Sequence, residues 1–119
     1  MKIGIIGYGF VGKSLANGFN SNVEIYKVDP KLSTNIKGLK IFDPDVIFIC
    51  VPTPMKDDSS QDISAVMETI NHINRYDIKS LIVLKSTVLP NYVEDIKLKI
   101  PDLVLNPEFL REKFAEEER

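Results

Sequence analysis

Cysteine occurs once in this 119-residue chain, at Cys50, and histidine once, at His72. A single cysteine excludes an internal disulfide and any cysteine-rich zinc site. With one histidine as well, the chain has no ordinary ligand set for a metal, and none is expected. A Ser-His-Asp arrangement cannot be assembled at any familiar spacing, which leaves hydrolase chemistry without support. The net charge is only −2, and no basic patch carries interleaved aromatics. Neither nucleic acid nor an anionic membrane surface is therefore an expected partner. No apolar run approaches the roughly 18 residues that a bilayer-spanning helix requires. The chain enters a strand at Lys2 without the apolar core of a signal peptide, so a cytoplasmic location is expected.

What remains is an ordinary globular composition, 44% apolar and 27% charged, long enough for one domain with a core but not for two. One domain over residues 1–119 is expected. Its most informative stretch is Gly7-Tyr8-Gly9-Phe10-Val11-Gly12, directly behind an apolar strand and ahead of a helical pattern. A glycine-rich loop alone is a weak signal. Here an acid, Asp29, ends a second apolar strand about 20 residues later, the spacing of a dinucleotide-binding unit. Gly7 permits the tight turn, Gly9 lets backbone approach a pyrophosphate, and Gly12 lets the helix lie close to the strand. The helix N-terminus, with Phe10 and Val11 in its first turn, then favours the phosphates.

Periodicity places the remaining elements. Residues 2–6, 23–28, 46–51, 81–84 and 103–105 read as strands, and 46–51 as a central parallel one buried on both faces. Val11, Leu15 and Phe19 recur at helical spacing. So do Ile63, Val66, Met67, Ile70 and Ile73, with Ser60 or Asp62 as the cap. Pro90 suits the first turn of a helix that turns Val93 and Ile96 inward. Residues 31–44 are the least regular part, with a short strand expected around 40–42. A helix is expected from Glu108 onward. Strands alternating with helices predict an α/β fold, a Rossmann-like, doubly wound, mostly parallel sheet.

The chemistry-bearing residues collect where strands end. Asp29 can accept hydrogen bonds from the adenosine ribose and would repel a 2′-phosphate, favouring NAD over NADP. Lys27 and Lys31 beside it weaken that preference, and Asp29-Pro30 also fits a simple turn start. Val51, Pro52 and Thr53 follow the third strand, at the crevice where open sheets bind ligands. Cys50 precedes them in a buried run and reads as a structural thiol rather than a nucleophile. Ser86 and Thr87 follow the fourth strand. Their hydroxyls either orient a nicotinamide, substrate or water, or cap the next helix. Asn106-Pro107-Glu108-Phe109-Leu110-Arg111-Glu112 brings an amide, carboxylates and a guanidinium to the same edge, although helix N-terminal acids alone would account for the carboxylates. His72 reads as a solvent-edge or partly packed side chain.

Together the glycine loop, Asp29, Cys50-Val51-Pro52-Thr53-Pro54, Ser86-Thr87-Val88 and the Asn106 to Glu112 segment resemble the UDP-glucose/GDP-mannose dehydrogenase family, specifically its N-terminal NAD-binding domain. The resemblance spans nearly the whole chain, and its last three motifs are the specific ones. It implies NAD as cofactor, a nucleotide sugar such as UDP-glucose as substrate, and oxidation of a sugar C6 alcohol to a carboxylate in two steps. It further implies that Thr87 and Glu108 act near the reacting carbon, with Glu112 beside them. Phe109, Leu110, Arg111 and Glu112 would close over the nucleotide sugar.

Two departures qualify the expectation. The family's nucleophilic cysteine lies beyond residue 119, and Cys50 matches the structural cysteine of its motif instead. The segment between Asp29 and Cys50 is short, which removes helices usual in the family. The chain is therefore expected to bind NAD without turning over UDP-glucose alone. Three expectations stand open, a fragment, a reduced homologue or half of a split enzyme, with a C-terminal half or a second copy as the expected partner. The competing expectation is a non-catalytic dinucleotide-sensing or partner-binding module of the same fold. A dehydrogenase for a small acid leaves the Asn106 to Glu112 segment unexplained.

Overall fold

A computed structural model describes residues 1–7, 9–19 and 22–106, the side chains of Phe10 and Val11 excepted. Among the described residues five strands alternate with four helices: β1 (Lys2–Ile6), α1 (Phe10–Asn17), β2 (Glu24–Val28), α2 (Ile36–Phe42), β3 (Val46–Ile49), α3 (Ser64–Arg75), β4 (Leu81–Leu84), α4 (Pro90–Lys99) and β5 (Val104–Leu105). A 3₁₀ turn, Pro30–Leu32, follows β2. The strands form one sheet in the order β2-β1-β3-β4-β5, and every pairing is parallel.

The order sets the position of the site. From β1 the chain winds outward to β2, and from β3 it winds the other way to β4 and β5. Between β1 and β3 the direction of winding reverses, which opens a crevice at the carboxyl ends of those strands. The register aligns Ile6 with Val28 and Ile49, and Ile49 with Leu84. The loops after all four strands therefore leave the sheet at one level.

The alternation of strand side chains divides the core. Ile6, Val28, Ile47, Ile49, Ile82 and Leu84 form one buried cluster with Ile36 and Leu39 of α2, Val66, Ile70 and Ile73 of α3, and Ile96 of α4. On the opposite face Ile3, Ile5 and Val83 are buried. α1 packs there: a Cβ at Gly12 would meet Ile5 Cγ2, and Phe19 just beyond the helix meets Phe48 with the rings tilted by 45° and their centroids 6.0 Å apart. Helices on both faces make the sheet doubly wound. β3 is only partly the fully buried strand expected, because Val46 and Phe48 are half-buried on the α1 side.

The segment 31–44 departs from expectation. Residues 40–42 form no strand; they are the last turn of α2. Asn35 caps that helix by accepting from the Gly38 N–H at 2.9 Å, while Asp43 ends it with a left-handed φ of 56°. Burial of Ile36 and Leu39 outweighs the poor helical character of a seven-residue segment with a central glycine. Gly38 is there for space, since a Cβ would overlap the Tyr26 hydroxyl. α3 also differs at its start: its N-cap is Ile63, with no side-chain cap bond, so neither Ser60 nor Asp62 is the cap. Asp62 Oδ1 accepts from the Ser64 N–H at 3.0 Å and the Ser64 hydroxyl at 2.6 Å, whereas Ser60 bonds Asp58 instead. In α4, Pro90 occupies the first turn and Ile96 is buried as expected, with Val93 half-buried. Among the described residues no helix is long and apolar enough to cross a membrane.

Candidate functional site: the crevice at the β1/β3 switch point

The glycine loop is built by close approach. Gly7 has φ +91°, and a Cβ there would lie 2.8 Å from both the carbonyl carbon and the oxygen of Cys50. Conformation and space both demand glycine. A Cβ on Gly12 would overlap the carbonyl oxygen of Gly7, so α1 can rest on the loop only through a glycine. Gly9 is the opposite case. It is the N-cap of α1, whose first turn holds no acid. Among the described atoms no side chain caps the helix, and a Cβ at Gly9 would meet no heavy atom beyond its chain neighbours within 4 Å. Backbone is thus presented to open space at the positive end of an eight-residue helix, a fit for a pyrophosphate.

From this loop a cavity of about 1010 Å³ extends along the crevice. Gly7, Gly9, Asp29, Lys31, Val51, Pro52, Thr53, Ser86 and Thr87, all singled out from sequence, line it. Gly12 does not; it lies beneath, between helix and strand. Phe10 and Val11 occupy the first turn of α1 by backbone, and their side chains lie outside the described atoms. Glu108, Phe109, Leu110, Arg111 and Glu112, with the helix expected from Glu108, also lie outside the described residues.

Asp29 takes the turn-starting role read from sequence. Its Oδ1 accepts from the Lys31 N–H at 2.9 Å, capping the 3₁₀ turn, and the residue also lines the cavity. Thr34 secures this corner: its hydroxyl donates to the Lys27 carbonyl at 2.6 Å and accepts from the Asp29 N–H at 3.0 Å.

Neither Ser86 nor Thr87 is the N-cap of α4, which is Leu89. Ser86 is buried, and its hydroxyl donates to the Val51 carbonyl at 2.7 Å, which ties the end of β4 to the loop after β3. The Thr87 carbonyl accepts from the Thr53 hydroxyl and from Gln61 Nε2, both at 2.8 Å. These bonds close the β4 side of the crevice.

Cys50 lines the cavity half-buried. Burial pushes its thiol up from 9.0 to about 12, against the pull of the nearby Lys85 ammonium. Lys85 is the cation that the local sequence did not reveal, yet desolvation wins. The thiol stays neutral, as expected of a structural cysteine.

Sequence reasoning missed the helical wall of the crevice. Ala65, Glu68, Thr69, His72 and Arg75 of α3, with its C-cap Tyr76, line the cavity, as do Ile36 and Lys37 of α2. His72 is half-buried there, a partly packed side chain on a functional wall. A signal existed for α3: these residues recur every three or four positions, a stripe beside the apolar one. Gln61 offered no signal at all.

A doubly wound sheet with a glycine loop at its switch point, an acid after β2 and polar groups after β3 and β4 defines a dinucleotide-binding domain. Residues 29–119 match the model of the UDP-glucose/GDP-mannose dehydrogenase family, NAD binding domain, and the chain belongs to that family. NAD is the dinucleotide of the matched domain. Among curated proteins, the chain is 34% identical over 92 residues to UDP-glucose 6-dehydrogenase AglM of Haloferax volcanii, covering 64% of this chain and 21% of that protein. It is 35% identical over 92 residues to UDP-glucose 6-dehydrogenase of Rickettsia felis, covering 71% and 20% respectively. An uncharacterized protein of Methanocaldococcus jannaschii is 41% identical over 91 residues, 70% of this chain and 10% of that protein. The match thus spans about a fifth or less of these relatives. Among solved structures, a ternary complex of GDP-mannose dehydrogenase from Pseudomonas aeruginosa superposes on 99% of this chain and 38% of its own, with TM-score 0.66 and 25% identity. A UDP-glucose dehydrogenase from Pyrobaculum islandicum shares the fold, with TM-score 0.64 and 24% identity over 98% of this chain and 38% of its own.

Proposed function

We propose that the crevice is the NAD site of a cytoplasmic nucleotide-sugar dehydrogenase of the UDP-glucose type. Asp29 receives the adenosine ribose, Gly9 and the first turn of α1 receive the pyrophosphate, and the β4 side with Ser86 and Thr87 receives the nicotinamide. The observation that carries this reading is convergence: motifs separated by up to 80 sequence positions, from Gly7 to Thr87, line one cavity at the switch point. Bound NAD supplies a hydride acceptor, and the chain's own residues bind it, orient it and shield it from water. Thr87, Glu108 and Glu112 are assigned to the reacting end by resemblance, and Phe109, Leu110 and Arg111 to the nucleotide sugar.

Cys50 supplies no covalent chemistry in this reading, because its thiol stays neutral far above physiological pH. Dinucleotide binding is therefore the activity expected of the 119 residues alone, with sugar oxidation the property of a protein that also provides a reactive cysteine.

Titration of the chain with NADH, followed by nicotinamide fluorescence, tests the reading. Saturable binding that ADP competes away is expected. Absence of saturation at millimolar NADH would overturn the reading, and NADH production from UDP-glucose and NAD by the chain alone would overturn the division of labour.

A further inference from the structure

Gln61 is 6% exposed, in a loop whose other residues from 55 to 59 are all solvent-exposed. Its amide is fully oriented by its partners. Nε2 donates to the Thr87 carbonyl at 2.8 Å and to the Thr53 carbonyl at 3.1 Å. Oε1 accepts from the Leu89 N–H at 2.9 Å. The backbone is fixed as well: the Gln61 N–H donates to the Tyr92 hydroxyl at 3.3 Å, and Gln61 pairs with Met55 in an antiparallel bridge. One side chain therefore joins the loop after β3 to the loop after β4 and to the start of α4. Both carbonyls it holds belong to residues that line the cavity.

We propose that Gln61 is a positioning residue for the nicotinamide half of the crevice, setting the spacing between Thr53 and Thr87 without touching the cofactor. The proposal rests on the NAD reading above. The location of the bonds makes the role one-sided. Gly9, Asp29 and Lys31 belong to the β1 and β2 side, and none of them bonds Gln61. Removing its two donors leaves the Thr53 hydroxyl bonded to the Thr87 carbonyl. It loosens the spacing of the β3 and β4 loops without separating them, since the Ser86 hydroxyl still holds the Val51 carbonyl, and leaves the adenosine side as it is. A packing residue would act differently, weakening the whole domain and with it every ligand.

Gln61→Glu is the sharp test, because a carboxylate keeps the shape and the bond from Leu89 but faces two carbonyl oxygens that it cannot serve. NADH and ADP are titrated separately against the unsubstituted chain, Gln61→Glu and Gln61→Met, with thermal unfolding measured alongside. NADH binding is expected to weaken by about tenfold in both variants while ADP binding changes less than about twofold. Lowering the pH should restore NADH binding to Gln61→Glu but not to Gln61→Met, because only a protonated carboxyl regains a donor. If Gln61→Glu fails to fold, the NADH-to-ADP ratio of Gln61→Met carries the test. Equal weakening of NADH and ADP, or no change in either, would overturn the positioning role. Failure of both nucleotides to bind the unsubstituted chain would overturn the NAD reading and this role together.

Discussion

Gly12 faces the carbonyl oxygen of Gly7 so closely that a single added carbon would overlap it. The two ends of the glycine loop are thus locked against each other by backbone, not by side chains. Gly9 between them faces open space. The three glycines divide into two that build the loop and one that leaves its face open.

Gly12→Ala should destabilise the domain. Helix propensity alone would favour alanine by about 1 kcal/mol. Overpacking costs about 1–3 kcal/mol, and here the obstacle is a backbone oxygen that no rotamer change can move aside. The sign therefore decides the matter. Chemical denaturation should show a lower midpoint, and an unchanged or raised midpoint would mean that α1 does not rest on Gly7.

Gly9→Ala should do the reverse. A methyl group there meets no heavy atom within 4 Å, so the unfolding midpoint should move little. The same methyl would stand where backbone must approach a pyrophosphate, and NADH binding should weaken by about tenfold or more, equivalent to about 1.4 kcal/mol. A fluorescence titration beside a thermal melt separates the two effects.

Asp29→Asn isolates charge from capping. Asparagine caps as well as aspartate, so the bond from the Lys31 N–H should persist and stability should hold. The carboxylate's charge-assisted bonds to ribose hydroxyls and its repulsion of a 2′-phosphate would be lost. Preference for NADH over NADPH should fall by about 1–3 kcal/mol, read from paired titrations. Tighter NADPH than NADH binding by the unsubstituted chain would reverse the role given to Asp29.

The strands were legible because 3–6, 46–49 and 81–84 are nearly unbroken apolar runs, a pattern that parallel sheets share with few other structures. Their carboxyl-end motifs were legible for the same reason, since a recognised strand fixes where its end lies. α2 was not legible. Its seven residues carry one inward turn, Ile36 and Leu39, around a glycine whose reason is the Tyr26 ring on another strand. Gln61 was illegible for a related reason. Its partners Thr87 and Leu89 lie 26 and 28 residues away, and no local pattern records a bond of that separation.

Leu39→Ala tests whether α2 is integral to the fold. Leu39 is completely buried and joins the cluster shared by β1, β2, β3 and α3. Truncation at such a position costs about 2–5 kcal/mol. Urea denaturation should show a loss in that range. A loss below about 1 kcal/mol, the range of surface changes, would mean that 36–42 packs only loosely on the sheet.

Cys50 makes a prediction about alkaline pH. Its thiol is raised from 9.0 to about 12 by burial in the folded chain. At pH 8 its thiolate fraction, and so its alkylation by iodoacetamide, should be on the order of a thousandfold below that of free cysteine. The sign for stability follows from proton counting. Above about pH 9 the unfolded chain releases the proton that the folded chain still holds, so the unfolded state binds fewer protons and stability falls as pH rises. The contribution is fully present below about pH 9 and lost by about pH 12, with a slope of at most about 1.4 kcal/mol per pH unit. The comparison that isolates the thiol is between the unsubstituted chain and Cys50→Ala. The substitution should flatten the alkaline decline. Rapid alkylation of the native chain at pH 8 would mean that the Lys85 charge, not burial, governs the thiol.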